Sequence, residues 1–190
     1  MKLKSLHDLY IHELQDLHSA ETQIKTALPK AIRAARSADL KTALKNHLEV
    51  TKVHVDRLDE ILKRHGAKRE DEKCKGMEGL LAECESMLAQ EADDVIFDLG
   101  IIASCQRVEH YEISGYGTAR AYAEKLGEEA DTSLLAETLE EESSADDELT
   151  SIATMLQSQC DAGTDDDVET EAADRKPART KTAREKVTAR

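Results

Sequence analysis

A carboxylate on the apolar stripe of a helix is costly to bury unless it is paired or bound to a cation. In this 190-residue chain every long helical pattern carries at least one polar interruption of its apolar stripe. Glu21 stands within DLHSAETQI, His47 and His54 within HLEVTKVHVDRL, Glu109 and Glu112 within RVEHYEISGYG, and Glu142 and Asp146 within TLEEESSADDEL. Spacing decides which of them can converge. Glu109 and Glu112 are three apart, and Glu142 and Asp146 four apart, so each pair shares a helix face. His47 and His54 are seven apart, two turns along one face. Glu49 and His54, five apart, sit about 140° from one another around the helix and do not readily serve one ion. Carboxylates suit Mn and Fe(II), and imidazole suits iron, so the chemistry this pattern points to is binding of a transition metal.

The elements that must position these residues follow from periodicity. Apolar residues recur at three- and four-residue spacing over about 3–36 (Leu6, Tyr10, Leu14, Leu17, Ile24, Leu28), with Pro29 inside the run as a candidate kink. Ser37 and Asp39 offer a break and a cap. A second helix covers about 39–65 and stops at Gly66. Residues 67–75 (AKREDEKCK) read as a charged loop, and about 76–90 as a short amphipathic helix in a crossover. Long helices then run over about 93–126, ended by Gly127, and about 129–158. Two hairpins joined by a long connection describe an all-α four-helix bundle with one crossover, and carboxylates with imidazole facing inward from four helices form the di-iron or di-manganese site of the ferritin-like class.

Composition supports this architecture and excludes others. Aromatic residues are 3% and charged residues 35%, with two Pro and eight Gly, which does not furnish the strands and turns of a β-sandwich or barrel. The net charge of −14 argues against a duplex nucleic acid as ligand of the whole surface. No apolar run reaches the roughly 18–20 residues of a membrane span, and MKLKSLHDLYIHEL lacks the h-region of a signal peptide. Cys74, Cys84, Cys105 and Cys160 lie far apart without a C-x-x-C, consistent with reduced thiols and a cytoplasmic setting. Residues 1–160 thus form the helical domain. Residues 161–190, seven acids followed by seven bases and one acid with almost nothing apolar, read as a disordered tail.

Taken singly, each candidate has a plainer reading. A lone Glu on a stripe is usually a boundary residue reaching water, and His54 a satisfied core histidine. Thr51 bonds its own helix backbone, and Tyr116 belongs to the core rather than to an electron relay. His7, His12, His65 and His110 read as surface residues, and His18, three before Glu21, as surface or as an outer neighbour of the site. In the run Glu140–Glu141–Glu142 the first two face solvent and Glu142 faces inward. What favours a metal is coincidence: interruptions at comparable depth on four helices.

The segments DLHSAETQIKTALPKA, HLEVTKVHVDRLDEI, CKGMEGLLAEC, VEHYEISGYGTARAYAEKLG and LLAETLEEESSADDELT, over about residues 8–155, resemble the YciE/YciF-type ferritin-like stress proteins. The blocks E-H-Y-E-I-x-x-Y-G-T and T-L-E-E-E-x-x-x-D are the specific marks. The resemblance implies a ferritin-like bundle, a homodimer and a di-iron site. It implies Glu21, Glu109, Glu112, Glu142 and Asp146 as ligands, with His47 from the H-L-E-x-T motif, while His54 falls where relatives often carry Gln. By analogy with ferritin-like proteins such a site would bind two Fe(II) and react with peroxide or dioxygen, with Glu109 or Glu142 bridging. One departure stands out. The ferritin-like pattern has Glu-x-x-His on two helices, whereas Glu142 is accompanied by Asp146, and Lys52 stands three after Glu49. That leaves manganese as an alternative to iron.

Three functions follow as expectations. The first is a metal-binding stress protein with an oxidase- or peroxidase-like reaction. The second is a non-enzymatic dimeric scaffold whose unoccupied polar core fixes packing. The third is weak nucleic-acid binding through the basic end of the tail, opposed by the adjacent acids and without aromatics for stacking.

Overall fold

The computed structural model describes residues 3–69 and 73–160, and the expected tail, 161–190, lies outside the described residues. Five helices, and no strand among the described residues, make it an all-α structure. They are α1 (Leu6–Ala34), α2 (Ala38–Arg64), α3 (Lys75–Leu88), α4 (Asp94–Leu126) and α5 (Glu129–Cys160). Their ends fall within three residues of those expected from periodicity. The caps explain why. Ser5 Oγ accepts from Asp8 N at 3.1 Å, and Ser37 Oγ accepts from Leu40 N at 3.4 Å. Gly66 (φ 63°) and Gly127 (φ 79°) take the left-handed conformation that ends α2 and α4. The α1 helix continues through Pro29.

The four long helices pack as a ring, α1 on α2, α2 on α5, α5 on α4 and α4 on α1, and the short α3 lies across α1 and α4. The turn between α1 and α2 is pinned by Asp98 of α4, 1% exposed, which accepts from Arg36 N (2.9 Å) and Ser37 N (2.6 Å). The apolar interior is not continuous. One cluster gathers Ile24, Leu28, Leu40, Leu44, Ile101, Ile102, Leu149 and Ile152. The other gathers Tyr10, Leu14, Leu17, Leu58, Ile61, Tyr116, Ala119 and Leu135. Between them, where α1 passes from Leu17 to Ile24 and α5 from Leu135 to Leu149, the stripes carry the polar residues. The apolar layers on either side fix the helices and leave the polar layer little freedom to move toward water. Among the described residues no helix is long and apolar enough to cross a membrane, and the four cysteines are free thiols.

Candidate metal centre

Each helix of the ring sends carboxylate or imidazole into the middle layer. Glu21 of α1, Glu112 of α4 and Glu142 of α5 are 0% exposed, Glu109 of α4 is 2% exposed, and His54 of α2 is 0% exposed. His47, two turns before His54, is nearly buried. Thr51, between the two histidines, turns its hydroxyl back to His47 O at 2.8 Å, as expected of a buried threonine on a helix.

The ligand-type atoms fall into two groups that share one residue. His47, Glu109, Glu112 and Glu142 each offer an atom within 4.8 Å of the others, and so do Glu21, His54 and Glu142. The two oxygens of Glu142 face different histidines. Its Oε1 lies 2.8 Å from His54 Nδ1, and its Oε2 lies 4.0 Å from His47 Nδ1. His54 Nδ1 is also 3.3 Å from Glu21 Oε1, and His47 Nε2 is 3.5 Å from Glu109 Oε1. These close approaches are not aligned as hydrogen bonds. Glu21 Oε2, Glu109 Oε2, both oxygens each of Glu112 and Glu142, His47 Nε2 and His54 Nδ1 are buried without a hydrogen-bond partner. Buried polar atoms are nearly always satisfied, and eight of the ten unsatisfied ones among the described residues belong to this layer, the other two being Gln15 Oε1 and His18 Nε2.

Electrostatics follow from that crowding. Burial, reinforced by the Glu142 carboxylate, holds the carboxyls of Glu109 and Glu112 well above the usual carboxylate range. Burial also raises Glu21, although the nearby His54 works against it. Burial would strip the proton from His54, but its interactions with Glu142 and Glu21 outweigh that and lift it to about 10. His47, without an aligned partner, is depressed by burial. Among the described residues the cationic partners of Glu21, Glu109 and Glu142 are histidines, so protons carry the balance that these contacts supply to the buried carboxylates.

Three neighbours support the layer from outside. Tyr116 donates its hydroxyl to Glu21 Oε1, so it belongs to the core and also fixes a candidate ligand. His54 Nε2 donates to Glu141 Oε2 at 2.8 Å, and Arg57 pairs with Glu141 and, at 2.6 Å, with Glu137. Glu141, expected to face solvent, instead orients His54. The signal that finds it is Arg57, one turn after His54 on the same face.

The other expected residues lie elsewhere. Asp146 is half-buried, accepts from Gln106 Nε2 at 3.1 Å and lies 3.3 Å from the exposed His110, outside both groups. His18 is buried against Asp59 at 3.1 Å rather than at the surface. His65 is also largely covered. With Tyr10 and Arg64 it bonds the buried Asp131 at the far end of the bundle, and His7 and His12 are exposed. A third group of ligand-type residues, His65, Glu128 and Asp131, falls there, but both Asp131 oxygens are taken by protein donors.

Residues 5–161 match the family described as Domain of unknown function (DUF892). Protein YciF of Escherichia coli (strain K12) is 40% identical over 154 residues, covering 80% of this chain and 93% of its own. The crystal structure of the E. coli stress protein YciF aligns with a TM-score of 0.80 at 38% identity, covering 83% of this chain and 99% of that one. YcfI of Rhodopseudomonas palustris, provisionally described as a structural protein, aligns with a TM-score of 0.75 at 39% identity over 78% of this chain and 95% of its own. The chain therefore belongs to the YciE/YciF-type stress-protein family, whose shared domain is the Domain of unknown function (DUF892).

Proposed function

We propose that this chain is a ferritin-like stress-response protein that holds two transition-metal ions, iron or manganese, between its four long helices. The observation that carries the reading is Glu142, a fully buried carboxylate whose two oxygens face separate histidine–carboxylate groups and have no aligned hydrogen-bond donor. Oxygen and imidazole donors without thiolate suit Fe(II) or Mn(II). His47, Glu109 and Glu112 would hold one ion, Glu21 and His54 the other, and Glu142 would serve both. Tyr116 holds Glu21, and Glu141 holds His54 through its second nitrogen, so the chain's own contacts fix these donors before any ion arrives. Bound iron or manganese would supply electrons for reaction with peroxide or dioxygen. The apolar clusters on either side close the layer off from bulk water toward both ends of the bundle. A homodimer and a cytoplasmic setting complete the proposal.

Metal analysis after anaerobic Fe(II) or Mn(II) loading and desalting tests it. Retention by the parent chain, lost in Glu142→Gln, is expected, and a parent chain that retains neither metal overturns it. One observation favours a scaffold instead: His54 lies between Glu21, Glu142 and Glu141 and closes part of the polar layer with protein contacts alone. That reading requires Glu109→Gln and Glu142→Gln to leave stress protection intact.

A further inference from the structure

We infer that the cleft between α2 and α5 is the way in for a divalent cation, with Glu140 and Glu148 as its capture groups. The inference rests on the metal centre proposed above and adds a route to it. The cleft has a volume of about 430 Å³ and runs from an acidic rim to His47 and Glu109. At its base His47 Nε2 and Glu109 Oε2 are buried atoms without a hydrogen-bond partner, the kind of donors that replace the waters of a hydrated ion.

The rim carries Glu137, Glu140, Glu141 and Glu148. Arg57 neutralises Glu137 and Glu141. Glu140 and Glu148 form no ion pair among the described residues and are exposed. They stand eight apart on α5, with Ser144 midway, so they flank the opening along one face of the helix. Unneutralised carboxylates around a concave opening focus their field into it and raise the local concentration of cations.

A second crevice, between α1, α3 and α4, reaches the same His47 and Glu109 but offers a different environment. It is narrow, about 40 Å³, and its walls include Ile24, Leu28, Leu81, Leu88 and Val108. A hydrated ion would lose its waters there largely against hydrocarbon, and the exposed carboxylate on this path, Glu85, is already paired with Lys30 at 2.9 Å.

The test is the rate at which the metal-free full chain takes up Co²⁺, followed by visible absorption. Glu140→Gln with Glu148→Gln is expected to slow uptake by about tenfold, to weaken its dependence on salt, and to leave the final amplitude at the parent value. Ala145→Trp, which fills the cleft without changing charge, slows it too, whereas Ala27→Leu in the apolar crevice does not. Unchanged rates in both cleft variants overturn the route while the metal centre stands, as does slowing by Ala27→Leu alone. A parent chain that binds no Co²⁺ at equilibrium overturns the centre and the route with it.

Discussion

Asp131 and Glu142 lie on the same helix, are equally buried, and differ in one respect. Asp131 spends both its oxygens, one on Arg64 and the other on Tyr10 (2.9 Å) and His65 Nε2 (2.6 Å). Glu142 has no aligned hydrogen bond on either oxygen, although histidines approach both. The comparison teaches that buried charge alone does not mark a site. A network complete in its donors anchors α1 and α2 to α5, whereas an incomplete one raises the free energy of the metal-free fold. On the reading proposed above, the unspent acceptors are stability given up in favour of binding.

The largest expected effect separates the two regions outright. Glu142→Gln abolishes retention of Fe(II) or Mn(II), because both groups lose the residue they share, while Asp131→Asn leaves metal content at the parental level. The second variant shows its effect elsewhere. Breaking a buried charge network costs about 3 kcal/mol, so Asp131→Asn lowers the urea midpoint of the metal-free chain. If Asp131→Asn instead strips the metal, the two regions are not independent.

Glu112 sharpens the contrast at smaller size. Neither of its oxygens has a partner, and burial with the Glu142, Glu21 and Glu109 charges holds its carboxyl well above the usual range. Glu112→Met roughly keeps the volume and removes an unpartnered buried carboxyl, so it stabilises the metal-free chain by about 2 kcal/mol while weakening metal retention. Denaturation with and without metal measures both signs.

The same asymmetry sets a pH dependence. Glu21, Glu109, Glu112 and His54 all have folded pKa values raised above their unfolded ones, His54 to about 10. Between the unfolded and folded values the native chain binds protons that the unfolded chain has released. Their contribution is therefore complete below the unfolded pKa and is lost as pH rises through the folded one. The metal-free chain melts at a lower temperature near pH 9 than near pH 6.5. Further into acid the trend turns, because burial depresses His47 and His18, which favour the fold only above the unfolded pKa of histidine. Bound metal needs deprotonated ligands, so the melting temperature of the loaded chain does not fall over that interval. Parallel melts in chelator and in Mn(II) check the sign.

How much of this was legible beforehand depended on whether the partner was local. The helices were, because the apolar period is strong and Gly66, Gly127 and Ser37 punctuate it. That Glu21, His54 and Glu142 face inward was too, because each interrupts an apolar stripe, whereas which histidine meets which carboxylate was not. What pairs across the bundle was not. His18 and His65 look like surface residues until neighbouring helices cover them: Asp59 lies 3.1 Å from His18, and Asp131 bonds His65. Glu141 looks solvated because Glu140 and Glu142 flank it, yet His54 and Arg57 claim it. Spacing reports which residues share a face but not how far around that face they lie.

Asp146 is where that limit is tested, and where the smallest effect is expected. It stands four residues after Glu142, the spacing that groups them, but it is displaced toward α4 and solvent, where Gln106 Nε2 donates to it at 3.1 Å and His110 Nε2 lies 3.3 Å away. A partly exposed carboxylate with these partners gains little from an ion. Asp146→Asn keeps an acceptor for Gln106 and removes a charge that pairs with an exposed histidine, a change worth less than about 1 kcal/mol. Metal content and melting temperature should both match the parent chain. A clear loss of metal in Asp146→Asn would instead mean that the ion draws α5 around to bring Asp146 inward, and that the boundary between the spent and unspent acceptors moves when the centre is filled.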